Sequence, residues 1–127
     1  MNKSDMGCSL LIDANVHVAS DFGSAKFLGL RQGMRPTLSY SDLHFVCTVH
    51  DLEDILSPGE SGDVVILSGT RVLLKHGFVV GSKFQLVAGA AIVGKGEVLE
   101  IRSVQVTRDR NAERGYSIVD GEAGRSI

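Results

Sequence analysis

At 127 residues the chain has the length of one domain, enough to bury most of the apolar surface of a compact core. A hydrophobic fraction of 43% with 15 glycines and two prolines excludes an intrinsically disordered protein and fits a globular, turn-rich one. The net charge of −2 divides into eight basic residues against eleven acids over residues 1–101 and five arginines against four acids over 102–127. Neither part has the dense basic run with which nucleic-acid binders neutralise phosphate.

Five Phe, two Tyr and no Trp leave the core to Val, Ile and Leu. Cys8 and Cys47 are too few for a disulfide framework and belong to no CxxC pair, which predicts reduced thiols in a cytoplasmic protein. The first residues, Met-Asn-Lys-Ser-Asp-Met, lack an apolar signal core, and Leu10-Leu-Ile12 is far too short to span a bilayer. The expectation is therefore no signal peptide, no membrane span and no cofactor.

Residues 1–8 read as a loose leader. From Ser9 the pattern turns to strand, with Leu10-Leu-Ile12 followed by Ala14, Val16 and Val18 in alternation. A loop is expected at Ser20–Ser24. Leu38, Tyr40 and Leu43 then share a face ahead of the stronger run Phe45-Val-Cys-Thr-Val49. Asp51–Leu56 reads either as one helical turn or as a loop, ended by the turn chemistry of Ser57-Pro-Gly.

Gly62–Ile101 is the most informative stretch. Its apolar segments Val64–Leu67, Phe84–Leu86, Ile92–Val93 and Val98–Ile101 are cut by glycines at 69, 77, 81, 89, 94 and 96, too closely for an amphipathic helix. Short strands and tight turns follow, with Gly94-Lys-Gly96 suited to a bulge or a close approach of strands. Arg102-Ser-Val-Gln-Val-Thr107 continues the last strand. The barrel domain is thus placed at 9–107, and 108–127 reads as a polar, mobile tail except for a short strand at Tyr116-Ser-Ile-Val119.

Phe84-x-Leu-x-x-Gly89-x-x-x-Val-Gly94-x-Gly96-x-Val98 resembles the last two strands of the third, C-terminal domain of elongation factor Tu. Gly62-Asp63, Asn15-Val-His-Val-Ala-Ser20 and Gly33-Met-Arg-Pro36 are similar to further motifs of that domain, in the same order, so the likeness covers roughly residues 10–101. It implies an all-β fold, a six-stranded antiparallel closed β-barrel of the kind shared by translation GTPases, here without a GTPase domain. In that family the domain touches the T stem of aminoacyl-tRNA. Arg35 and Pro36 are kept, but Thr37 stands where the family has Gln and Val46 where it has Thr. Val87 and Ala88 replace Arg-Glu, and Ala91 replaces an Arg often found there.

Those replacements remove groups that position RNA backbone, and they turn Ala88-Gly-Ala-Ala-Ile92 into a small apolar tip suited to a protein contact. The chain is therefore expected to be a non-enzymatic binding module. Its partner would be a protein of the translation apparatus, or a toxin that recognises elongation factor Tu. The expected binding residues are Arg35, Thr37, Ala88, Gly89, Ala90 and Lys95. The alternative is RNA or tRNA binding through Arg35, Lys83, Lys95 and the arginine-containing tail. A third reading is a small metal protein or enzyme built on His44, Cys47 and His50, whose spacing matches no recognised ligand pattern. Gly94-Lys-Gly96 lacks the spacing of a phosphate loop and no helix follows it.

Overall fold

The computed structural model describes residues 8–20, 28–108, 111 and 115–119. Most of the expected leader (1–7), most of the expected loop after Ser20 and parts of the tail (109–110, 112–114 and 120–127) lie outside the described residues. Among the described residues the alternating stretches form seven strands: β1 (Cys8–Val18), β2 (Thr37–Tyr40), β3 (Leu43–Asp51), β4 (Ser61–Ser68), β5 (Lys83–Ala88), β6 (Ala91–Arg108) and β7 (Tyr116–Val119). The first strand already includes Cys8, one residue ahead of the expected start.

All pairings are antiparallel, and the order β1-β4-β3-β2-β5-β6 closes on itself through β1 and β6. The expected six-stranded barrel is present, with β7 added to β6. Closure leaves no free edge among the six barrel strands. On β1 the inward residues Leu10, Ile12, Ala14, Val16 and Val18 are all buried, as the period of two requires.

Three bulges bend the wall. The registers skip Leu99 of β6 opposite Asp13/Ala14, Val93 of β6 opposite Leu86/Val87, and His50 of β3 opposite Ile66/Val65. Each puts two residues against one and increases local twist, which lets a small barrel close. Gly96 sits where a side chain would not fit. It pairs with Phe84, and a Cβ there would lie 2.3 Å from the Phe84 ring.

Segments outside the strands fill the ends. Val72–His76 forms a 3-10 turn closed by Gly77 in the left-handed region, and it delivers Leu73 and the following Phe78 fully buried into the core. Phe78 meets Tyr40 edge-on at 5.0 Å between ring centroids and lies 6.1 Å from Phe84. No apolar period in Val72–His76 marks this element in the sequence. The stretch expected as a helical turn or a loop over Asp51–Leu56 is a loop that follows Asp51, the last residue of β3: Leu56 forms an isolated bridge with Leu30, each amide donating to the other's carbonyl.

The end of β6 and β7 build a second, smaller core on the outside of the barrel. Leu11, Leu67 and Val104 are buried there, with Val65, Val106, Tyr116 and Ile118 packed against them. Tyr116 reaches as far as β3, where its hydroxyl and His50 Nδ1 share a hydrogen bond of 2.8 Å. The short strand expected at 116–119 is thus part of the folded unit.

Candidate functional site

The outward residues of the barrel fall into lateral rows because register, not sequence distance, sets which side chains are neighbours. Thr37 pairs with Val46 on one side and Val87 on the other, and Val87 pairs with Ile92. The row Val46–Thr37–Val87–Ile92 crosses β3, β2, β5 and β6. Val46 is 55% exposed and Ile92 44%. At one end of this row the β5–β6 hairpin turns through Gly89-Ala90, between the paired Ala88 and Ala91. Gly89 has φ 62°, and a type II′ turn places its glycine at this first central position.

The six sequence-predicted residues lie on this side of the barrel. Thr37, Ala88, Gly89 and Ala90 belong to the row and its hairpin tip. The carbonyls of Pro36 and Met34 accept the amides of Cys47 and Val49, continuing the β2 ladder backwards and setting exposed Arg35 two residues beyond Thr37 on the outside. Lys95 lies in the adjoining row, opposite Gln85 on β5 and His17 on β1. In the sequence Val46, Val87 and Ile92 stand in separate segments. Alternation marks each as outward, but their alignment is a property of the register.

The adjoining row is polar: Ser61, His17, Lys95, Gln85, Ser39 and His44 follow one another across all six barrel strands. His17 Nδ1 and Ser61 Oγ share a hydrogen bond of 2.8 Å, and Ser39 Oγ and His44 Nδ1 one of 2.9 Å. A cleft of about 520 Å³ opens here, with Lys83, Lys95 and Glu97 among the residues that line it. The apolar row therefore has Lys95 on one flank and Arg35 on the other.

The His44–His50 run does not converge on a common point. His44 and His50 face outward and bind Ser39 and Tyr116, whereas Cys47 faces inward and its thiol donates to the Pro36 carbonyl at 3.4 Å. Burial pushes the Cys47 thiol up to about 12, so it stays protonated at neutral pH. Among the described residues no group of three or more His, Cys, Asp or Glu side chains is placed to hold a metal ion. The sequence proximity that favoured a metal centre is undone by the pleat, which sends odd and even residues to opposite faces.

A separate acidic cleft lies around Asp13, Asp51, Glu53, Asp63 and Glu100. Asp13 Oδ1 is buried there without a hydrogen-bond partner among the described residues. Desolvation raises the Asp13 pKa above 3.8; Arg102 works against the shift, while Glu100 and Asp63 add to it. The folded state therefore holds the Asp13 proton to higher pH than the unfolded chain. This site's contribution is most favourable below the ordinary carboxylate range and is lost as pH rises through the raised value. Asp13→Asn, which keeps a donor toward Glu100, is expected to be at least as stable as the parent at pH 7, with the difference shrinking toward pH 4. Urea midpoints across that range test it, and an equal loss at every pH would refute the assignment.

No protein-family model matches the chain, and no curated protein matches it.

Proposed function

We propose that this barrel is a non-catalytic, cytoplasmic binding module that docks a protein through the outer faces of β3, β2, β5 and β6. The observation that carries the reading is the aligned row Val46–Thr37–Val87–Ile92 with its small, apolar hairpin tip. Protein interfaces combine an apolar centre with a polar rim, and Arg35 and Lys95 on the flanks fit a partner whose apolar contact is bordered by acidic groups. The resemblance of Gly33–Pro36 and Phe84–Val98 to the third domain of elongation factor Tu supports a partner within the translation apparatus.

A photo-crosslinking residue at Ile92 in growing cells tests the proposal. The expected result is a discrete protein adduct, lost when Val87→Asp is added and retained at elevated salt. With the partner purified, Val87→Asp is expected to weaken binding by about tenfold or more, as desolvating a carboxylate at an apolar contact requires. The variant's own stability should change by less than about 1 kcal/mol, since the position is only partly buried. An adduct made of RNA, with affinity falling steeply as salt rises, would overturn the proposal in favour of nucleic-acid binding.

A further inference from the structure

Arg35 and Arg108 are 73 positions apart in the chain, yet they line one cleft of about 600 Å³ between the barrel wall and β7. Leu67 of β4 and Val106 of β6 supply its apolar lining, and Tyr116 of β7 forms part of its wall. That wall is braced by the Tyr116–His50 hydrogen bond and by the two rings, 5.7 Å apart. Both arginines are exposed, and no acidic side chain lines the cleft among the described residues. Neither guanidinium has a hydrogen bond or an ion pair with another described residue.

Two like charges in one cleft repel each other, and the repulsion is relieved when an anion enters. Guanidinium forks match the paired oxygens of a carboxylate or a phosphate. The volume lies in the range of small-molecule sites, which join an apolar lining to a few polar groups. We infer that this cleft binds a small amphipathic anion, its carboxylate or phosphate head held by Arg35 and Arg108 and its apolar body resting on Leu67 and Val106. The site lies toward β7, shares only Arg35 with the proposed docking face, and stands independently of that reading.

Calorimetric titration of the whole protein with hexanoate, hexyl phosphate and hexanol tests the inference. At least one of the two charged probes is expected to bind, and hexanol to bind at least about tenfold more weakly, the factor of one charge-assisted hydrogen bond. The two charged arms separate a carboxylate ligand from a phosphate ligand. Arg35→Gln and Arg108→Gln should each lower that affinity by about tenfold, while Lys75→Gln, at an exposed position outside the cleft, leaves it unchanged. Amide shifts in the unmodified protein should centre on Thr48, Val106 and Tyr116, a readout that does not depend on any variant folding. Equal binding of hexanol, unchanged affinity in both arginine variants, no binding of either charged probe, or shifts centred on Val46, Val87 and Ile92 would each overturn the inference. Inorganic phosphate binding as tightly as hexyl phosphate would remove the apolar half of the site and overturn it as stated.

Discussion

Gly96→Ala is expected to destabilise the barrel by about 1–3 kcal/mol or more, the usual cost of overpacking a tight core, although it adds a single methyl group. The added Cβ would lie 2.3 Å from the Phe84 ring, closer than any relaxed contact, and the ring is itself held between Gly96 and Phe78. The opposing effect, a reduction in unfolded-chain freedom, amounts to about 0.4–1 kcal/mol and cannot offset such a clash. Gly69→Ala is the control. Gly69 has no neighbouring atom within 4 Å of the Cβ position and no positive φ, so the entropic term should dominate there and stability should hold or rise slightly. Phe84→Leu should cost stability alone by leaving a cavity, yet cost less in the Gly96→Ala background. Urea unfolding of the four members of this cycle measures the coupling. Strict additivity would show that the ring does not occupy the glycine's side-chain space.

The second large effect concerns two positions on the outside of β6. Val104→Asp is expected to cost about 3 kcal/mol or more, because Val104 is 1% exposed and a carboxylate there would be desolvated without a partner. Leu99→Asn, on the same strand but 46% exposed, adds no charge to the acidic cleft that Leu99 lines and should stay within about 0.5 kcal/mol of the parent. The contrast arises because β7 and the β6 extension cover Leu11, Leu67 and Val104, but not Leu99. Hydrogen exchange at Ile118 should accelerate in the Val104 variant as β7 separates from the barrel. Equal, small effects at both positions would mean that the outer core contributes nothing to folding.

Both expectations show how far pattern alone reaches. Alternation over Leu10–Val18 and the glycine-cut run from Gly62 to Ile101 made the strands legible, because a half-buried strand must repeat with period two. The fully buried Leu73 and Phe78 were not read from the sequence. They sit on a 3-10 turn whose apolar residues have no period long enough to recognise, and their role depends on the barrel end they fill. Asp51–Leu56 offered helical spacing, but the backbone amide and carbonyl of Leu56 instead pair with Leu30, 26 positions earlier. Tertiary pairing outweighed a weak local preference.

The candidate sites divide in the same way. Arg35, Thr37, Ala88, Gly89, Ala90 and Lys95 could be picked from the chain because motif and residue type are local properties. That Val46, Val87 and Ile92 continue one row, that Cys47 turns away from His44 and His50, and that Arg35 shares a cleft with Arg108 depend on strand order and register. The sequence determined which segments are extended and which side chains face the core, since those follow from the pleat and from transfer of apolar groups out of water. Which outward residues become neighbours was decided only by the closed sheet, because register and bulges arise from contacts between segments far apart in the chain.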